Sequence, residues 1–140
     1  MTSGIKILLI EDNPLDAEII QRLLRKEADG NEFHLVMNKE TFVRALDEYK
    51  PDVIVSDNSL PQFDASEALR ITRGRSLYIP FILVTGTVSE EFAAGIIKAG
   101  ADDYILKDRL IRLPTAIDAA LKKRKTEIER ARVEEELKKS

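Results

Sequence analysis

Asp52-Val53-Ile54-Val55-Ser56-Asp57-Asn58-Ser59-Leu60-Pro61 decides how the chain reads. The β-branched apolar run Val53-Ile54-Val55 predicts a strand buried on both faces. It breaks at Ser56-Asp57, and Asn58, Ser59 and Pro61 predict a loop directly afterwards. Asp57 therefore lands at the carboxyl end of an interior strand. In a parallel sheet that edge is where open α/β folds bind ligands.

Working outward, the same pattern recurs. Ile5-Lys6-Ile7-Leu8-Leu9-Ile10 predicts a first strand that ends in Glu11-Asp12. Asn13-Pro14 predicts an N-cap and a first helical residue. Leu15, Ile19 and Leu23, with Ala17, Ile20 and Leu24 beside them, predict a wide buried stripe, and Asp29-Gly30-Asn31 a stop. A second strand is expected at 33–37. Asn38 caps a helix whose apolar face is Phe42, Ala45, Leu46 and Tyr49, and Pro51 ends it.

Beyond Asp57, Asp64 and Glu67 have capping-box spacing for a helix closed near Gly74. Residues 80–85 predict a fourth strand, with Gly86 next. Thr87 and Glu90 repeat the capping-box spacing, with Phe92, Ala93, Ile96 and Ile97 expected in the core and Gly100 as the stop. Asp103-Tyr104-Ile105-Leu106-Lys107 predicts a short fifth strand. Pro114 opens a last helix through Ile117, Ala120 and Leu121. Alternating strands and helices predict an α/β fold with a parallel sheet covered on both faces. Right-handed crossovers then bring every strand's carboxyl end to one edge.

Composition narrows the function. A chain of 140 residues holds one ordinary domain. Its 34% charged residues exceed the usual quarter, and the excess lies at the C-terminus. The division expected is a domain over 1–122 and a charged helical extension or linker over 123–140. A net charge of -3 with no basic stripe argues against direct nucleic-acid binding. The absence of cysteine excludes a disulfide frame and a thiolate metal site. No apolar stretch approaches the ~18 residues that cross a bilayer. A cytoplasmic protein without membrane insertion is expected.

The chemistry collects at the strand ends: Glu11 and Asp12, then Asp57, Thr85 and Lys107. Three neighbouring carboxylates repel one another unless a cation joins them. Oxygen ligands without His or Cys favour a hard ion, and Mg²⁺ suits a site that also admits a phosphate oxygen. Asp57 is the candidate nucleophile, since a carboxylate can take a phosphoryl group as an aspartyl-phosphate. Lys107 would stabilise the transferring charge rather than the fold. Thr85, beside the small Gly86, could hydrogen-bond a new phosphoryl oxygen.

At these positions the chain resembles a response-regulator receiver domain of two-component signal transduction. The resemblance covers residues 5–121. It rests on Glu11-Asp12, on Asp57 within D-x-x-L-P, on Thr85-Gly86, on the K-A-G-A-D-D-Y run at 98–104, and on Lys107. It implies a flavodoxin-like, doubly wound, five-stranded parallel sheet of order 2-1-3-4-5 with five helices, the last extended. It implies phosphorylation of Asp57 by a histidine kinase or phosphotransfer protein. Mg²⁺ would be held by Asp12, Asp57 and the Ser59 backbone carbonyl, with Glu11 acting through a metal-bound water. A switch is also implied: Thr85 moves toward the phosphoryl group, Tyr104 turns inward, and the surface of the fourth helix, fifth strand and fifth helix changes partners. Such a module is a phosphoacceptor that assists its own phosphorylation and dephosphorylation, not a turnover enzyme. Its downstream partner is an output domain or protein.

Three departures stand out. Asp108 follows Lys107 where the family usually has proline, which makes a cis peptide there less secure. Ser59 and Thr87 occupy the positions that tune phosphoryl lifetime in the family. No output domain follows, and the helical pattern runs to Ser140 without a glycine stop. The expectation is a piece of a longer protein, such as a hybrid kinase or sensor regulator. Two other classes compete. A phosphatase of the haloacid-dehalogenase type wants a second acid two residues after its nucleophile, where this chain has Ser59. A degenerate receiver would act only as an interaction surface, against which the intact residue set argues. His34 is expected on a strand surface, and Asp102, Asp103 and Asp108 as solvated loop acids. The core is expected to bury the last helix only through Leu121, leaving a projecting helix that pairs weakly with a second copy.

Overall fold

The computed structural model describes residues 4–60, 62–76, 78–86 and 89–139. The Val53-led run forms β3 (Val53–Ser56), every residue of it buried. Around it stand β1 (Lys6–Ile10), β2 (Glu32–Val36), β6 (Phe81–Thr85) and β7 (Asp103–Leu106). All pair in parallel, in the order β2-β1-β3-β6-β7. Two short strands were not anticipated. β4 (Ser59–Leu60) and β5 (Phe63–Asp64) make a separate antiparallel pair in the loop after Asp57, turned through Gln62 at φ 60°. Counting only the five sheet strands, the order is the expected 2-1-3-4-5.

Alternation along the strands divides the core in two. Ile7, Leu9, Val53, Val55, Ile82, Val84 and Ile105 pack with α1 (Pro14–Glu27) and α5 (Leu113–Lys139). Leu8, Ile10, Ile54, Phe81 and Leu83 pack with α2 (Lys39–Glu48), α3 (Ala65–Arg75) and α4 (Glu90–Lys98). The sheet is thus wound on both faces, as a flavodoxin-like α/β fold requires.

Local signals placed most helix starts. Asn13 Oδ1 accepts from the N–H groups of Leu15 (3.0 Å) and Asp16 (3.3 Å), with Pro14 opening α1. Asn38 and Asp64 cap α2 and α3 likewise. For α4 the cap is Ser89, whose Oγ accepts from Phe92 N–H at 3.0 Å. Thr87, expected there, lies outside the described residues. α3 continues through Gly74 to Arg75, because Ser76 closes it instead. The second strand stops at Val36, leaving Met37 exposed.

Burial corrects the apolar stripes. On α1 only Ala17, Ile20 and Leu24 are buried, while Leu15 is 63% and Ile19 45% exposed. The i, i+4 row Leu15–Ile19 diverges from the i, i+3, i+7 row that meets the sheet. Ile97 on α4 is exposed for the same reason. Lys107 does not end β7 but begins a 3-10 turn (Lys107–Arg112), and α5 starts at Leu113, one residue before Pro114. No cis peptide occurs among the described residues, so the Lys107–Asp108 bond is trans. His34 is exposed, as expected, and stacks on Tyr49 with ring centroids 5.0 Å apart.

Asp102 is the largest departure from expectation. Its side chain is 2% exposed, not solvated. It accepts from Phe81 N–H at 2.8 Å and pairs with Arg73 of α3 and Arg124 of α5. Arg124 also donates to the Gly100 carbonyl at 3.2 Å. The contact of α5 with the domain therefore runs at least a turn beyond Leu121, and Ile128 and Glu127 still line grooves against Tyr78.

Candidate functional site

Register sets the site. Ile10 is level with Ser56, so Glu11 and Asp57 emerge side by side, and the Asp57 N–H donates to the Ile10 carbonyl at 2.8 Å. Thr85 is level with Leu106, which puts Lys107 just past it on the same edge. Glu11 is 1% exposed and accepts from Asn13 N–H at 3.1 Å. Asp12 is exposed, and Asp57 lies between these extremes. One carboxylate oxygen from each of Glu11, Asp12 and Asp57 lies within 4.8 Å of the others. An oxygen-only trio at that spacing fits a hard divalent ion such as Mg²⁺.

Lys107 spans the cluster. Its Nζ is 3.3 Å from Glu11 Oε2 and 3.5 Å from Asp57 Oδ1. Its hydrogen bond goes to Asp16 Oδ2 at 2.7 Å. Burial alone would lower the lysine pKa. The Asp16 hydrogen bond and the charges of Asp57, Glu11 and Asp16 overcome this and hold the ammonium protonated beyond the ordinary lysine range. A lysine whose folded pKa is raised stabilises the fold below its unfolded pKa. By that linkage the ammonium offsets the mutual repulsion of the carboxylates around it in the unliganded chain.

Burial raises the Glu11 pKa above 4.5, and the Asp57 charge adds to the rise. The sign follows from linkage: the folded chain binds this proton more tightly than the unfolded one. Glu11 therefore contributes stability below pH 4.5 that is lost as pH climbs through its raised folded value. Glu11→Gln should remove that decline and make the apo chain more stable than wild type at neutral pH. Urea midpoints measured between acidic and neutral pH for both proteins check it, and parallel curves would contradict it.

The structure brings Glu11, Asp12, Asp57 and Lys107 together and sets Thr85, 4% exposed, at the same edge. Ser59 opens β4 two residues after Asp57. Tyr104 is 36% exposed on β7, facing outward. Asp16 was missed. It stands at the third position of α1, where its carboxylate meets the Lys107 ammonium. With it three carboxylates contact the lysine, those of Glu11, Asp16 and Asp57. A groove of about 890 Å³ lies elsewhere, between α5 and the loops before β3 and β6. Among the described residues no helix is long and apolar enough to cross a membrane.

Comparison with known proteins agrees with this geometry. The family model described as response regulator receiver domain matches residues 7–118. The transcriptional regulatory protein TrcR of Mycobacterium tuberculosis is 29% identical over 91% of the chain, which spans 49% of that protein. A CheY-like receiver domain structure from Methanospirillum hungatei superposes with TM-score 0.78 at 24% identity, covering 89% of this chain and 99% of that one. The receiver domain of a signal transduction histidine kinase from Syntrophus aciditrophicus gives TM-score 0.73 at 30% identity, covering 84% and 90%.

Proposed function

The chain belongs to the response regulator receiver domain family of two-component signalling, and on that premise we propose that Asp57 accepts a phosphoryl group from a histidine kinase or phosphotransfer protein. The observation that carries this reading is the cluster itself: Asp57 ends β3 with Glu11 and Asp12 within 4.8 Å and Lys107 3.5 Å away. An Asp57 oxygen attacks phosphorus, and the bond from phosphorus to the donor's imidazole nitrogen breaks as the new P–O bond forms. Asp12, Asp57 and the Ser59 backbone carbonyl would hold Mg²⁺, with Glu11 acting through a bound water, and the ion would supply charge neutralisation for the phosphoryl oxygens. Lys107 pairs with the oxygen nearest it, and the Thr85 hydroxyl donates to another. Tyr104 then turns inward from its exposed position, and the face of α4, β7 and α5 changes partners. The chain acts as a cytoplasmic phosphoacceptor, with no direct contact to nucleic acid.

Incubation with a small acyl phosphate and Mg²⁺ tests this. Intact-mass spectrometry should show one added phosphoryl group, and chelation should prevent it. No incorporation by the wild-type chain would remove the reading.

The chain spans about half the length of TrcR. That span supports a reading in which the receiver acts on an output domain or partner protein, with a receiver module of a hybrid kinase or sensor regulator as the alternative. The likeness to a histidine kinase's receiver is consistent with the latter, as the likeness to TrcR is with the former. A phosphorylation-independent interaction domain is disfavoured by the complete cluster. The extension of α5 exposes Val133 and Leu137 one turn apart, a short apolar stripe suited to weak pairing with a second copy. Sedimentation should show concentration-dependent association that a chain ending after Glu129, which keeps Arg124, does not share. Identical monomers would exclude the dimer.

A further inference from the structure

Asp16 belongs neither to the carboxylate trio nor to the family's residue set described above, yet it makes the closest contact to Lys107. Its Oδ2 accepts from Nζ at 2.7 Å, while Glu11 and Asp57 stand at 3.3 and 3.5 Å. Asp16 is fixed in place, since the Asn13 cap accepts from its own N–H and its carboxylate is a favourable charge in the first turn of α1. The ammonium therefore has an acceptor outside the trio.

That matters when a divalent cation enters. A cation among Glu11, Asp12 and Asp57 shares two of its carboxylates with Lys107, and the two positive charges repel. An ammonium anchored only by Glu11 and Asp57 would compete with the cation for them. Anchored on Asp16, it can cede both carboxylates and still remain at the edge of the site. We propose that Asp16 is a positioning residue that holds Lys107 aside, so that Mg²⁺ and the lysine occupy the site together. This rests on the receiver reading of the site and adds to it a residue that acts only through Lys107.

Calorimetric titration of Mg²⁺ alone into the apo chain tests the idea without any phosphodonor. Asp16→Asn should raise the Mg²⁺ dissociation constant roughly three- to fivefold, the scale of a partly exposed ion pair. Asp16→Glu, which keeps the charge, should restore most of the affinity. In a Lys107→Ala chain, Asp16→Asn should change little, because no ammonium is left to hold. That double-mutant comparison separates positioning from plain attraction of Mg²⁺ by the Asp16 charge, which would weaken binding equally in both backgrounds. Equal losses, or wild-type affinity in Asp16→Asn, overturn the proposal while leaving the phosphoacceptor reading intact. A wild-type chain that takes up no Mg²⁺ overturns both.

Discussion

Asp57→Asn should accept no phosphoryl group under conditions where the wild-type chain gains one. The amide is nearly isosteric but neutral, and its oxygen is a poor nucleophile. Losses on removing a nucleophile commonly exceed about a thousandfold. No neighbouring carboxylate is placed to substitute. Glu11 is 1% exposed and holds the Asn13 N–H. Asp16 is committed to Lys107 at 2.7 Å. Asp12 is exposed, and no ion pair to Lys107 is found for it. The fold should survive, because the substitution removes a charge that raises the Glu11 pKa and so relieves repulsion. Intact mass after treatment with acyl phosphate and Mg²⁺, beside a thermal melt, gives both readings. Label retained by a folded Asn variant would move the acceptor elsewhere.

The contrast between Asp57 and Asp102 shows what a sequence can disclose. Asp57, like Glu11, Asp12, Thr85 and Lys107, comes directly after an apolar strand run, so finding the strands also found the residues. Parallel pairing then did the rest, since level strands deliver level ends. Asp16 escaped because an acid in the first turn of a helix already has a local explanation in the helix dipole. Only the fold brings it to Lys107, 91 residues away. The short β4–β5 pair escaped because two-residue strands leave no periodicity to read. The stripe on α1 read too wide because six apolar residues at helical spacing exceed what one face of a flat sheet can cover.

Asp102 is the strongest case, and its removal should cost more stability than any other single substitution considered. Acidic pairs in loops are ordinarily solvated, but here Arg73 and Arg124, 29 and 22 residues away in sequence, enclose the first acid. Arg73 donates to the Gly100 and Ile79 carbonyls at 2.7 Å each, which ties α3 to the loops before β6 and β7. Gly100 adopts φ +118°, a conformation that favours glycine, and a Cβ there would also crowd Arg73 Nε at 3.1 Å. Burial, with the charge of Arg124 behind it, lowers the Arg73 pKa, which records two guanidiniums crowded together. Their side chains are 14% and 12% exposed, and Asp102 is the charge between them. Asp102→Ala leaves both cations without it and orphans the Phe81 N–H at the head of β6. Breaking one side of a buried ion pair costs about 3–5 kcal/mol, a large share of the roughly 5–15 kcal/mol that holds a domain together. Asp102→Asn should lie between, keeping an acceptor for Phe81 but losing the charge. Because Arg124 ties α5 to Asp102 and to the Gly100 carbonyl, the loss should also loosen the helix beyond it. Urea unfolding should register the first effect, and faster amide exchange over residues 125–139 the second. An Ala variant within about 1 kcal/mol of wild type, the size of an exposed pair, would mean that the arginines simply re-solvate and that α5 is held by its apolar face, Leu113, Ala116, Ile117 and Ala120.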